Sequence, residues 1–471
     1  MKVMLFMPEL WVLFGCLLLF LGTIFDGSGR AARTVAGLVA IGTILLTAFS
    51  FYLTGTLFFE AYRVDLFSQL FKFLVAAGLG VVILFDREVK AVEEKLKPEY
   101  YLFLFLSGLG LMMVVSCVEL LSLFIALELS SFALYLLVPM RDERTGVRVQ
   151  MESAAKYILF GVMATGVMLF GMSYLFGLTG TTYLSELLPK LHVIGAQPAA
   201  IVGLVMVLAG FFFKLGLFPF HFWLPDVYQG AANETTAFIA AVPKLAAVAL
   251  LVRVAALIDS TAVGLLLSGL AMVSMFYGNL LALVQKDVKR MLGFSGIAHA
   301  GYVMLGILLL RESGFASSIF YIIGYLVMNL AAFLVICNVA EKGENLRIED
   351  LTGLYKRSPL LALILAVAMF GLAGIPPFAG FMGKFLLLSG ALAQGYLALV
   401  VVAAINTAIA IYYYLSVVRV AYCAAPEEGR ALPVNVPVRL AGVFLVLVII
   451  ILGVLPSTFL ALASEAVRNI L

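Results

Sequence analysis

Residues 211–226 read FFFKLGLFPFHFWLPD. An ammonium, Lys214, sits inside an apolar and aromatic run, and two prolines, Pro219 and Pro225, follow it. The rest of the chain says what kind of protein tolerates this. Apolar residues make up 64% of the 471 residues and charged residues 12%, with a mean hydropathy of +1.13. Soluble domains carry about 25% charged residues. The composition therefore predicts an all-α polytopic membrane protein. A net charge of +3 is too small to suggest a nucleic-acid partner. Cys16, Cys117, Cys337 and Cys423 lie far apart, with no CxxC, His–Cys cluster or GxGxxG. The expectation is a chain without a metal, haem, iron–sulfur or dinucleotide site of its own.

A helix needs about 20 apolar residues to cross the hydrocarbon. Spans are expected near 8–25, 33–53, 67–85, 99–115, 118–138, 151–177, 198–220, 233–257, 261–284, 291–310, 314–340, 358–394 with an interruption, 396–420 and 437–460. That is about fourteen transmembrane helices. The first apolar run follows a single Lys2 and lacks small-residue cleavage chemistry, so it reads as a span and not as a signal peptide.

An even count puts both termini on one side. One set of loops holds Arg30, Arg33, Arg87, Lys90, Lys95, Lys97, Arg141, Arg144, Arg148, Lys286, Lys289, Arg290, Lys342, Arg347, Lys356, Arg357, Arg419, Arg430 and Arg439; the other holds only Lys2, Arg63, Lys190, Arg311 and Arg468. The positive-inside rule assigns the first set to the cytoplasm and both termini to the outer side.

Six cations remain within the spans: Lys72, Lys156, Lys214, Lys244, Arg253 and Lys384. A Lys or Asp at a helix centre costs about 2.5–3.5 kcal/mol on insertion scales. Lys244, in AAVPKLAAVALL, lies about 17 Å along its helix at 1.5 Å per residue, too deep to snorkel. Glu128, in SLFIALELSSFALYLL, is equally central and must be paired or protonated. Lys384 follows the interrupted segment. These three read as functional. Lys214 stands nearer a helix end, where snorkelling competes. Lys156 snorkels more easily. Lys72 and Arg253 lie near span ends, where a structural role is the simpler reading, and Glu119 at a span mouth is ambiguous. His299, in GFSGIAHAGYV, stands one or two turns inside its helix and is a possible relay. His221 and His192 are less telling, His192 falling in a loop.

GLFPF at 216–220 and GIPPF at 374–378 both fit G-x-x-P-F inside an apolar span. They fall in the seventh and twelfth predicted helices, which cross in opposite directions. Gly/Pro-broken helices at corresponding places in two halves point to a transport site. The implied units are two inverted five-helix repeats, helices 4–8 (99–257) and 9–13 (258–421), preceded by helices 1–3 (1–98) and followed by helix 14 (422–471).

VELLSLFIALELSSFALYLLV, ESAAKYILFG, FKLGLFPFHFWLPDVYQGA, VPKLAAVALL, QKDVKRMLGFSGIAHAGYVMLG and GLAGIPPFAGFMGKF together resemble the antiporter-like membrane subunits of respiratory complex I, in order and over nearly the whole chain. Within that family the chain is most similar to the N-type branch. Lys384 stands where the M-type sibling is expected to carry a glutamate, and the chain ends soon after helix 14 without the long lateral helix of the L-type sibling. One departure is AANETTAF at 231–238, where the family usually has proline; Asn233 and Thr235 are expected to cap the next helix instead, and Glu234 adds a charge near the cytoplasmic mouth.

The resemblance implies a proton-translocating subunit of an NADH–quinone oxidoreductase, itself without redox chemistry, in a bacterial inner membrane. Glu128 would pair with Lys214, Lys244 would be the central relay, Lys384 the terminal lysine facing the outer exit, and Lys156 a supporting lysine. NADH, FMN, iron–sulfur clusters and quinone would belong to partner subunits, among them sibling antiporter-like subunits. Two other readings stay open: a subunit of a cation/proton (Na+/H+) antiporter, and a structural membrane subunit whose buried charges only lock helices.

Overall fold

Backbone polar groups find no water in hydrocarbon, so apolar runs of this length must satisfy them internally as helices. The computed structural model bears this out. It describes the chain except residues 1, 26–27, 86–88, 143–148, 195–196, 256–260, 424–430, 469 and 471, and the side chains of 261–262. Arg87, Arg144, Arg148 and Arg430 of the basic set, and the predicted division at 257/258, lie outside the described residues.

The helices are α1 (Met7–Ile24), α2 (Gly29–Phe49), α3 (Leu66–Leu84), α4 (Lys97–Val114), α5 (Leu120–Leu137), α6 (Val149–Thr179), α7 (Leu184–Ile194), α8 (Pro198–Leu215), α9 (Trp223–Gly230), α10 (Asn233–Ala255), α11 (Thr261–Leu283), α12 (Val288–Ile307), α13 (Glu312–Val339), α14 (Leu354–Arg357), α15 (Pro359–Ala373), α16 (Ala379–Ala393), α17 (Leu397–Cys423), α18 (Val436–Val454) and α19 (Pro456–Arg468). Every expected span meets a helix or a pair of helices. Eleven described helices are long and apolar enough to cross a membrane. α4 and α12, with charged first turns, and the two 15-residue pieces α15 and α16 fall outside that number.

Three features depart from the sequence reading. A two-stranded hairpin, β1 (Gly55–Leu57) and β2 (Tyr62–Val64), joins α2 to α3. α19 follows α18 where no helix was expected. His192, expected in a loop, lies on α7. Both extra helices are too short to cross a bilayer, so a search for spans passes over them.

Start signals are side-chain caps. Asp65 accepts from Ser68 N at 2.7 Å, Glu119 from Leu121 N and Ser122 N, and Asp287 from Arg290 N. Burial holds Glu119 up, but the donors from Ser122, Thr182 and Leu121 outweigh it and keep its pKa below the ordinary carboxylate value. The caps expected for α10 are not made by Asn233 or Thr235. Asn233 Nδ2 donates to the carbonyl of Glu344, and Thr235 Oγ1 to Tyr100 OH.

The two G-x-x-P-F sites share one geometry. α8 ends at Gly216 (φ 77°) and α15 at Gly374 (φ 88°). In each, the glycine N–H bonds back to the carbonyls three and four residues before it, and the next N–H reaches five back: Leu217 N to Phe212 O at 2.9 Å, Ile375 N to Phe370 O at 3.0 Å. The positive φ at this position is what demands glycine. A cis X–Pro bond follows at Pro219 and at Pro377.

α10 and α13 pack together at the centre, their apolar windows wholly enclosed by protein. α1, α2, α17 and α18 lie at the periphery and turn leucines, valines and phenylalanines outward, as helices facing lipid do. The depth that sequence spacing gives Lys244 is thus a position on one of the two wholly enclosed helices.

Candidate functional site

Lys244 is 2% exposed. Its Nζ donates to Tyr325 OH on α13 at 2.9 Å and to the Gly296 carbonyl on α12 at 3.2 Å. A Cβ at Gly296 would stand 2.6 Å from that nitrogen and 3.0 Å from the tyrosine oxygen, so the glycine makes room for the contact. Among the described residues, no carboxylate within ion-pair distance balances the ammonium. It is held by neutral oxygens and by the Tyr325 ring face, 4.9 Å from the centroid.

Lys384, also buried, donates to the Leu372 and Ala373 carbonyls at 3.2 and 3.0 Å. These are the last carbonyls of α15. The break at Gly374 thus presents the negative end of a helix to the ammonium. The Tyr302 ring lies 4.9 Å from Nζ.

His299 stands between these two lysines and interacts electrostatically with both. Its Nδ1 is 2.6 Å from Tyr321 OH and its Nε2 3.1 Å from Tyr414 OH. A neutral imidazole has one donor and one acceptor, and a phenol can be either. Both bonds are therefore satisfied in either tautomer, which suits a group that passes a proton across its ring. The Tyr325 ring lies beside it, tilted by 54°, with centroids 5.0 Å apart. Tyr302 OH is 2.7 Å from Thr407 Oγ1 and donates to the Ala403 carbonyl at 2.8 Å.

Lys214 does not snorkel: it is 4% exposed. The expected pair with Glu128 is not closed. The ammonium donates to Ser131 Oγ at 3.1 Å and Ser130 Oγ at 3.3 Å, and Ser130 meets Ser107 at 3.0 Å. Glu128 lies within electrostatic reach of Lys214 and beside Thr165, with its Oε1 buried and unpartnered. Hydroxyls and carboxylate thus offer Lys214 alternative partners.

Lys156 belongs elsewhere. It meets Glu152 at 2.5 Å and Asp226 at 2.8 Å, and Asp226 meets Arg290 at 2.5 Å. This half-exposed cluster ties α6, α9 and α12 together at the end of the bundle carrying the basic loops. Burial pushes the Asp226 carboxyl up, but hydrogen bonds from Lys156 and Arg290 more than offset it and hold its pKa below the ordinary value. A depressed carboxyl contributes stability above its unfolded pKa, and loses it as pH falls through the folded value. Asp226→Asn is expected to lower stability by about 1–3 kcal/mol at pH 7 through the stranded cations. Thermal denaturation across pH should show the gap to the parent closing only in acid.

Sequence reasoning missed the partners and surroundings of several polar groups. Lys72 and Glu9 form an ion pair at 2.8 Å with both side chains fully buried, and Tyr62 OH donates to Glu9 at 2.7 Å. Arg253 bonds both oxygens of Asp65 at 3.0 and 3.1 Å. Lys289, assigned to a loop, is buried and donates to the Ala231 carbonyl at 2.8 Å, near Glu234. His221 is packed among Phe218, Phe222 and Tyr277. Among the described residues, no group of three or more His, Cys, Asp or Glu could hold a metal.

A membrane bundle with two broken helices and a file of buried lysines defines a class of ion-transport subunit, and comparison gives the class its family. Residues 117–410 match the family described as NADH:quinone oxidoreductase/Mrp antiporter, TM. An Opitutus terrae protein named NADH-quinone oxidoreductase subunit N 2 is 50% identical, over 98% of this chain and 97% of that one. NADH-quinone oxidoreductase subunit N of Nitrosomonas europaea is 36% identical over 98% and 97%. A chain of respiratory complex I from Thermus thermophilus with bound aureothin superposes with a TM-score of 0.84 at 31% identity, covering 97% of this chain and 99% of that one. A chain of the Mrp complex from Dietzia shares the fold, with a TM-score of 0.89 at 20% identity over 100% and 98%. This chain belongs to the NADH:quinone oxidoreductase/Mrp antiporter family of membrane subunits, and its full-length relatives at 36–50% identity are subunits N.

Proposed function

We propose that this chain is the proton-translocating N-type subunit of an NADH–quinone oxidoreductase, driven by quinone reduction elsewhere in the assembly. The observation that carries the reading is the buried file Lys244–Tyr325–His299–Tyr302–Lys384, where each member touches the next through a hydrogen bond or a ring face. Lys214 loads by exchanging its serine partners for Glu128. The proton passes to Lys244, crosses the His299–tyrosine cage by way of waters that bridge its hydroxyls, the members meeting there at ring faces only, and leaves from Lys384, whose ammonium the α15 carbonyls stabilise. The chain supplies no redox group. NADH, FMN, iron–sulfur clusters and quinone belong to partner subunits, which include sibling antiporter-like subunits.

The proposed membrane is the bacterial inner membrane, with both termini outside. α4, α12 and the broken pair α15/α16 complete fourteen spans with the eleven apolar helices, and the matching breaks at Gly216 and Gly374 support two inverted repeats.

His299→Leu keeps the volume but removes both ring nitrogens. Transfer through this subunit is expected to slow by about 100-fold or more, the range general acid–base groups contribute, so that its share of translocation is lost while assembly persists. Proton uptake per quinone reduced in proteoliposomes measures this. Likeness of fold to the Mrp chain keeps an antiporter subunit as the competing reading. Purification from native membranes separates the two. Co-purification with NADH-oxidising subunits is expected; isolation with antiporter subunits only would defeat the complex I reading.

A further inference from the structure

Lys214 on α8 and Lys244 on α10 hold different partners, and three buried tyrosines link the surroundings of the two. Tyr135 shares a face of α5 with Glu128 and Ser131, at spacings of four and three residues. It lies beside Ser131 and within electrostatic reach of Glu128. A Cβ at Gly161 on α6 would collide with the Tyr135 hydroxyl, so that glycine makes room for it. The Tyr135 ring meets Tyr157 of α6 edge-on, with centroids 4.8 Å apart, and Tyr157 reaches Tyr228 of α9 electrostatically. Tyr228, fully buried, arrives at Lys244. The point where a Gly296 side chain would begin lies 2.6 Å from Lys244 Nζ, 3.0 Å from Tyr325 OH and 3.8 Å from Tyr228 OH.

The hydroxyls of Tyr135 and Tyr228 make no hydrogen bond among the described residues. A buried hydroxyl without one costs stability that a phenylalanine ring in its place does not. Packing therefore accounts for the rings and not for their oxygens. We propose that these two hydroxyls, with Tyr157 between them, relay the proton from Lys214 to Lys244. The relay rests on the proton-translocating reading above and supplies its step between the two lysines. An N–H bond of the Lys214 ammonium breaks and leaves an amine. Each phenol oxygen takes a proton on a lone pair as its own O–H proton leaves for the next group, so the ring stays neutral. Single waters span the gaps longer than a hydrogen bond. The last transfer runs from Tyr325 OH to the Lys244 amine, 2.9 Å away, where the new N–H bond forms.

The test compares Tyr228→Phe, Tyr135→Phe and Lys244→Ala in the assembled complex. Each is scored for protons translocated per quinone reduced in proteoliposomes and for melting temperature in detergent. Either phenylalanine keeps the ring and removes one oxygen that holds no hydrogen bond. Transfer through this subunit is expected to slow by about 100-fold or more in each, so that its share of translocation is lost as in Lys244→Ala, at the melting temperature of the parent. The parent's ratio in either phenylalanine variant, with the share lost in Lys244→Ala, would overturn the relay and leave the translocation reading standing. The parent's ratio in all three would overturn both. A melting temperature that falls together with the ratio in the phenylalanine variants would give the hydroxyls a structural role and overturn the relay as well.

Discussion

Lys72→Met is expected to destabilise the bundle by about 3–5 kcal/mol, the cost of stranding one member of a buried ion pair. Lys72 and Glu9 are both fully enclosed, 2.8 Å apart. Without the ammonium, the Glu9 carboxylate keeps only the Tyr62 hydroxyl on Oε1, and Oε2 has no partner. The pair joins α1 to α3, and α3 packs directly on α10, so loosening reaches the helix that bears Lys244. Reduced yield of the intact assembly and a lower apparent melting temperature in detergent are the readouts. Glu9→Gln/Lys72→Met, which removes both charges, should recover most of the loss, because a neutral buried pair carries no desolvated ion. A single variant as stable as the parent would show that the pair contributes nothing.

This pair also shows where reading the sequence stops. The apolar runs were legible because each helix must satisfy its own backbone in lipid. The two G-x-x-P-F sites were legible because their glycines need positive φ, and both adopt it. Lys244 was legible because depth follows from counting residues along one helix. Partners were not. Glu9 is 63 residues from Lys72, Asp65 is 188 from Arg253, and Asp226 is 70 from Lys156. The span-end positions of Lys72 and Arg253 suggested a structural role, and each holds a buried ion pair whose carboxylate the sequence did not name. The tyrosines around His299 come from α12, α13 and α17 and count as ordinary aromatic residues until the fold gathers them. Only Lys214 sat on the boundary: its burial settled the question of snorkelling, while its serine partners could not be read from Glu128.

The central claim is that protons cross the bundle through Lys244. Lys244 is a buried cation on a helix enclosed along its length, with neutral partners on α12 and α13. An alanine there leaves the Tyr325 hydroxyl and the Gly296 carbonyl facing a gap with no group that can hold and release a proton. Assembly should persist, since no ion pair within 4.0 Å among the described residues is broken. The measurement is the number of protons translocated per quinone reduced by the assembled Lys244→Ala complex in proteoliposomes. The expected result is loss of this subunit's share of translocation, with Lys244→Arg failing to restore it because an arginine cannot give up its proton. Quinone reduction continuing with undiminished proton translocation would contradict the account.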